Sequence, residues 1–275
     1  ASVMALLNVL EDIKVWIAVA IVLALVFGFG SPDASTIMML ALIAQMAVAL
    51  DGIRFSRSDF GTYRKPILVN FVCCFGICTG FTLLTGLFFI DNQALWTGWV
   101  MLSAVPCAIS VVPSALFLKA DPKLAVLSLT VIYVIAIALT PLITHTLIGN
   151  SVNPLEVLRY ILMFILIPFV LTIPIKRLHL KQAPKTLFIN LMMFILVFVG
   201  LGSRQEFVFS EPMLVLSLVV ACIFRIFLVS TVLVLAMKRL GCNRDNGLNY
   251  VTFCYWKNSG MSASLTMGLF AATMP

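Results

Sequence analysis

The sequence predicts an all-α polytopic membrane protein, and three observations lead to that prediction. Hydrophobic residues make up 62% of the 275 residues and charged residues only 11%, which leaves too little polar surface for a water-soluble domain of this size. The apolar residues fall into nine runs, each close to the roughly 17–25 residues that a spanning helix needs. Short polar connections containing Pro, Gly, Asp and Asn separate these runs, as is typical of loops between helices.

We call the nine runs segments one to nine in chain order. Each is expected to form a membrane helix, and the polar residues between the runs are expected to form short loops. The predicted segments are Ile13–Phe29, Thr36–Ile53, Ile67–Ile90, Ala94–Leu118, Leu124–Ile148, Leu155–Ile175, Thr186–Leu201, Pro212–Met237 and Asn246–Thr273.

The distribution of basic residues predicts the orientation in the membrane. Lys and Arg concentrate in the loops that follow segments two, four, six and eight, whereas the alternate loops carry Arg204 alone. Loops rich in Lys and Arg stay in the cytoplasm, so the N-terminus is predicted to be cytoplasmic and the location a plasma or inner membrane. The basic residues of these loops are Arg54, Arg57, Arg64, Lys65, Lys119, Lys123, Lys176, Arg177, Lys181, Lys185, Lys238, Arg239 and Arg244.

Two segments are predicted to be broken. Segment four contains Pro106 and Pro113, and each proline removes a backbone donor and disfavours the preceding helical turn. Segment nine contains the polar stretch Lys257–Gly260. Breaks in matching positions of two halves are a sequence sign of a transporter site near the middle of the membrane. Because segments four and nine are five apart, they fit two five-helix repeats of opposite orientation.

Two cations lie deep in the predicted segments. Lys257 is inside segment nine and Arg225 is near the middle of segment eight, whereas Arg159 lies close enough to a segment end to reach the interface. No Asp or Glu occupies the middle of a segment, and Asp51 comes nearest. A charge at this depth costs about 3 kcal/mol or more, so an anionic substrate is the expected partner.

Four stretches of sequence resemble the bile acid:sodium symporter family. The first two match the loop between helices two and three and the broken fourth helix with its following loop. The other two match the end of the fifth helix and the broken ninth helix. They are Arg57-Ser58-Asp59-Phe60 with Arg64-Lys65-Pro66, Ser110 to Leu118-Lys119-Ala120-Asp121, Leu139-Thr140-Pro141-Leu142, and Asn258-Ser259-Gly260-Met261.

The resemblance implies ten helices in two inverted five-helix repeats with crossing, broken helices four and nine. Nine of these helices are expected here, and a tenth would follow Pro275. The implied panel domain comprises residues 1–66 and 155–201. The implied core domain comprises residues 67–154 and 202–275.

The sequence departs from the resemblance at the sodium sites. The family places Glu and Gln four residues apart in helix nine, where this chain has Phe253 and Lys257. Sodium is therefore a doubtful ligand, and Lys257 is expected to occupy the place of the ion. A desolvated lysine also loses its proton readily, so a role of Lys257 as a proton carrier stays open. The candidate substrate- and ion-binding residues are Lys257, Asn258, Ser259, Ser110, Ser114, Ser128, Thr130, Arg225 and Cys74.

These features favour a secondary transporter of small organic anions that is embedded in the lipid bilayer. Apart from the doubtful sodium ion, we expect no cofactor. Alternatives are a sodium-coupled symporter of bile-acid-like anions, a metalloid-oxyanion efflux permease that uses Cys107, and a non-transporting receptor or scaffold. The sequence has no His-Glu-x-x-His motif or intramembrane Asp pair, so we expect neither an enzyme nor a metal site. The basic residues lie in short loops, which does not indicate nucleic-acid binding, and the oligomeric state stays open.

We predict that positions 57 and 181 face the cytoplasm and that position 204 faces outside, because the cations concentrate on the former side. Single cysteines at these positions, on a cysteine-free background, are treated from outside with a membrane-impermeant maleimide. Only the cysteine at position 204 is expected to react. Reaction at position 57 and not at 204 would reverse the orientation.

Overall fold

The computed structural model describes residues 10–51, 57–149 and 152–270. Arg54, Pro275 and the predicted segment ends Ile53 and Thr273 lie outside these residues. Within the described residues, five apolar helices are long enough to cross a membrane, and together with the overall composition they identify a helical multi-pass membrane protein. They span Arg64–Phe89, Pro122–Ile148, Pro154–Arg177, Gln182–Gly202 and Pro212–Arg239, which correspond to segments three, five, six, seven and eight.

The remaining segments are shorter or divided. Segments one and two form the apolar helices Ile13–Phe27 and Ala34–Ala49, so segment two ends before the predicted Ile53. Segment four consists of Gln93–Ala104 and Val111–Phe117, and segment nine of Arg244–Tyr255 and Ser259–Phe270. Two six-residue helices, Arg57–Thr62 and Gln205–Ser210, lie in connections.

The chain divides into two compact units. The first contains the described residues of Ala1–Gly52 and Leu162–Val215 together with Phe270, and the second contains those of Ile53–Ile161 and Leu216–Leu269. The predicted panel and core ranges have different boundaries because they were assigned by expected transport role, and that assignment remains a prediction.

Polar side chains within the first unit bond to backbone groups of neighbouring helices. Gln45 donates to the Ile189 carbonyl over 3.2 Å, and the amide of Asn190 donates to the Glu11 carbonyl over 3.0 Å. Asp51, the nearest carboxylate to a segment interior, forms an ion pair with Lys185. These bonds satisfy polar groups that would be costly to bury alone.

Segment three is the irregular helix of the second unit. It is α-helical over Arg64–Phe71, π-helical over Val72–Cys78 and α-helical again over Thr79–Gly86. The first part packs on segment five, where Ile67, Leu124 and Leu127 form a buried apolar cluster. A π-helix has a wider turn than an α-helix and is common at functional sites. The region around Thr79, where the helix becomes α-helical again, is therefore a candidate site.

Candidate functional site

The two broken segments contain extended backbone within apolar sequence. The first half of segment four ends at Ala104, and Val105 is extended with φ −73° and ψ 154°. The residue after Val105 is Pro106, which disfavours helix at the residue before it. The first half of segment nine ends at Tyr255, and Trp256 is extended with φ −96° and ψ 95°.

The two breaks satisfy each other's backbone groups. Ala108 N–H donates to the Trp256 carbonyl over 3.1 Å, and Asn258 N–H donates to the Pro106 carbonyl over 3.0 Å. Cys107 and Lys257 are thereby paired in an isolated antiparallel bridge. Unwound backbone at membrane depth is tolerated where protein or water satisfies it, and here two breaks from different helices do so.

The Lys257 ammonium lies at this crossing and is 6% exposed. Its Nζ donates to the Ser103 carbonyl over 2.9 Å, to the Val105 carbonyl over 2.9 Å and to Thr79 Oγ1 over 3.0 Å. Nζ also lies 4.8 Å from the centre of the Phe75 ring. An ammonium has three N–H donors, so these three acceptors use all of them.

Among the described residues, the charge of Lys257 is stabilised by dipoles, and no carboxylate forms an ion pair with it. Ser103 and Val105 lie at the C-terminal end of the first half of segment four, where exposed carbonyls give a helix its negative pole. The face of the Phe75 ring adds a favourable cation–π interaction. The ammonium therefore links segment three, the end of segment four and the break of segment nine as a bound cation would.

A second polar chain ties segment five to both breaks. The Asn258 side-chain amide donates to the Tyr133 hydroxyl over 3.0 Å, and that hydroxyl donates to the Cys107 carbonyl over 3.0 Å. Asn258 Oδ1 accepts from Met261 N–H over 2.9 Å, which caps the second half of segment nine. Asn258 thus fixes the direction in which the helix restarts.

The structure places the predicted break residues unequally. Pro106, Lys257 and Asn258 lie in the extended stretches. Pro113 and Gly260 lie in the first turn of the helices that restart at Val111 and Ser259, so they do not break these segments. A proline in the first turn is compatible with a helix because the N–H groups there have no intrahelical partner.

The predicted hydroxyl residues do not gather around Lys257. Ser128 is buried and accepts from the Asn70 amide over 2.8 Å. Thr130 Oγ1 donates to the Val126 carbonyl of its own helix over 3.0 Å. Ser110 lies just before the restart of segment four, where its carbonyl accepts from Ser114 N–H over 3.1 Å.

Cys74 lies on segment three, and Arg225 lies on segment eight and contacts segment three. Cys74 is fully buried in the π-helix, and Cys107 is fully buried in the break of segment four. Arg225 is 6% exposed, and its Nη1 donates to Thr82 Oγ1 over 2.9 Å and to Cys78 Sγ over 3.8 Å. Among the described residues, no group of three His, Cys, Asp or Glu side chains is arranged to hold a metal ion.

Sequence reasoning missed most of the groups that surround Lys257. Thr79, Phe75 and Tyr133 are ordinary members of apolar helices, and Ser103 and Val105 contribute only their carbonyls. The available signal was Pro106, because the proline after Val105 frees the carbonyls at the end of the preceding helix. No protein-family model and no curated protein matches the chain, so the resemblance to the bile acid:sodium symporter family rests on its four motifs and remains a prediction.

We expect Lys257→Met to destabilise the protein by about 2 kcal/mol, because it removes three hydrogen bonds and leaves the Val105 carbonyl without the Lys257 donor, whereas the Ser103 carbonyl still accepts from the Thr79 hydroxyl. The measurement is the thermal unfolding midpoint of the purified protein in detergent. The matched control is Lys238→Met, which removes an exposed lysine near the end of segment eight. Equal midpoints for the two variants would show that the Lys257 contacts contribute nothing to stability.

Proposed function

We propose that this chain is a sodium-independent secondary transporter of small organic anions that works by alternating access. The observation on which the proposal rests is the buried Lys257 ammonium held between two broken helices. Broken helices that meet near the middle of the membrane are the usual site of substrate and ion binding in secondary transporters. A kinked helix without a ligand would not by itself need a charge at that position.

Lys257 is proposed to take the place of a coupling cation. Its three donors contact three oxygen acceptors, which is how a small cation would join the same groups. Phe253 is fully buried and offers no oxygen ligand where the family has a Glu. A sodium site at this position would need several oxygen ligands, so the arrangement favours the tethered ammonium.

The contacts of Lys257 suit a tethered cation, and a proton carrier stays open as the alternative. The ammonium uses its three N–H donors on three oxygen atoms. The Phe75 ring, 4.8 Å away, also favours the charged form. Since a tethered cation cannot dissociate and carry a gradient, transport would follow the gradient of the substrate or of an exchanged anion.

The finer architecture belongs to this proposal. The family resemblance implies two inverted five-helix repeats, nine helices in this chain, and separate panel and core domains. A cytoplasmic N-terminus in a plasma or inner membrane is implied by the positions of Lys and Arg. Alternating access between such repeats is the mechanism that this architecture serves.

We expect transport to be equally fast with sodium, potassium or choline as the added cation. Sodium dependence is expected to appear only in the double variant Phe253→Glu with Lys257→Gln, because Lys257→Gln alone supplies no carboxylate. The measurement is uptake into proteoliposomes of a labelled organic acid, chosen by a thermal-shift screen with and without sodium. Strong sodium stimulation of the native protein, with Lys257→Ala fully active, would reject the surrogate role.

A metalloid-oxyanion permease remains the second candidate because Cys107, whose thiol could bind a metalloid, is buried in the break and pairs with Lys257 there. In the same vesicles, Cys107→Ala is expected to leave organic-anion uptake unchanged. Loss of arsenite flux in that variant, with no organic-anion uptake by the native protein, would favour the metalloid permease. Absence of flux for either class of substrate would favour a receptor or scaffold.

A further inference from the structure

Arg225 is a second buried cation, and it lies far from both ends of its helix. It lies near the centre of the helix Pro212–Arg239, which has 28 residues. At a rise of about 1.5 Å per residue, each end of this helix is about 20 Å away. The hydrocarbon core extends only about 15 Å to either side of its midplane, so a helix centred on the bilayer would hold the guanidinium at the depth where an unpaired charge is most costly.

The charge of Arg225 has no compensation within the second unit. Its Nη1 contacts are the Thr82 hydroxyl and the Cys78 thiol, which are neutral donors or acceptors. Its Nε is buried and has no hydrogen-bond partner. Among the described residues, no carboxylate lies within 4 Å of this guanidinium. The ion pair in that part of the chain joins Lys185 and Asp51 of the first unit. A buried, unpaired guanidinium is strongly unfavourable unless an anion joins it.

The two deep cations bind adjacent turns of segment three. Lys257 donates to Thr79, the first residue after the π-helix, and Arg225 donates to Cys78 and Thr82. The two cations differ in whether they have a free N–H donor. All three donors of Lys257 are used, whereas the Nε of Arg225 is free. An anion that enters this region therefore finds an available donor on Arg225 and none on Lys257.

We propose that Arg225 is the residue that recognises the anionic group of the substrate, while Lys257 holds the broken helices together. This inference rests on the proposed transport function. The ligand class is an organic carboxylate or sulfonate with an apolar body. Cys222 and Val229, one turn to either side of Arg225 on the same helical face, are apolar neighbours along the helix and suit such a body better than a small hydrated ion.

Binding at Arg225 requires a local rearrangement. Nε has almost no contact with solvent, so the protein atoms that cover it must move before an anion can reach it. Thr82 Oγ1 is the closest competitor for the guanidinium, at 2.9 Å. An anion bound through Nε and a second guanidinium nitrogen would form the paired hydrogen bonds that make arginine a strong carboxylate ligand.

The competing explanation is that Arg225 only anchors segment eight to segment three. The two roles differ in what Thr82→Val does. If Arg225 recognises the anion, Thr82→Val removes a competing acceptor and leaves affinity equal or tighter. If Arg225 is only an anchor, Thr82→Val and Arg225→Gln both lower thermal stability and neither changes anion affinity selectively.

The test measures equilibrium binding of 3-phenylpropionate, 2-phenylethanesulfonate and the neutral 3-phenylpropanamide to the full chain in lipid nanodiscs. For the anion that binds, Arg225→Gln is expected to weaken affinity at least tenfold, Arg225→Lys less, and Thr82→Val not at all. Arg159→Gln, which removes an exposed arginine of segment six, is the matched control and is expected to bind as the native protein does. The neutral amide is expected to bind weakly and equally to all variants.

Several outcomes would overturn the assignment of Arg225. These are native-like affinity in Arg225→Gln, an equal loss in Arg159→Gln, a loss in Thr82→Val, or no binding of either anion by the native protein. Uptake of the same compounds into proteoliposomes tests the transport function separately. Binding that depends on Arg225 without flux would reject the transporter and keep the anion site, whereas flux with native-like affinity in Arg225→Gln would reject the role of Arg225 alone.

Discussion

The structure of the second unit depends on one ammonium group. Lys257 Nζ donates to the Ser103 and Val105 carbonyls and to Thr79 Oγ1, and so joins segment three to the end of a broken helix. The breaks in segments four and nine leave backbone groups that lipid cannot satisfy. The backbone bonds from Ala108 to Trp256 and from Asn258 to Pro106 satisfy part of that demand, and the ammonium satisfies the carbonyls that remain at the end of the first half of segment four.

Segment three is the common support of both deep cations. Its π-helix ends at Cys78, and the side chains of segment three that accept from Lys257 and Arg225 belong to Cys78, Thr79 and Thr82. The two cations nevertheless have different surroundings. Lys257 is fully hydrogen-bonded by oxygen atoms and faces the Phe75 ring, whereas Arg225 keeps a buried Nε without a partner. A cation whose donors all have acceptors is suited to holding helices together. A cation with a free donor is suited to binding an anion.

Several features of the site follow from particular residues in the sequence. Pro106 indicated the break in segment four, and the polar residues Lys257 and Asn258 indicated the break in segment nine, because each opposes a continuous apolar helix. The same reasoning predicted breaks at Pro113 and Gly260, but both residues lie in the first turn of a helix. Proline and glycine are both acceptable there. The hydroxyls of Ser128 and Thr130 are used within or beside segment five, which no spacing along the chain indicates.

The sequence by itself determined a helical, multi-pass membrane protein, because length and hydropathy of each apolar run are local properties. It also determined that two cations would be buried without a nearby carboxylate, because charge and depth can both be read along the chain. Only the tertiary structure decided which groups meet those cations. The partners of Lys257 are a hydroxyl 178 residues away and carbonyls more than 150 residues away. A backbone carbonyl is present at every residue, so its availability depends on where a helix ends and on what packs against that end.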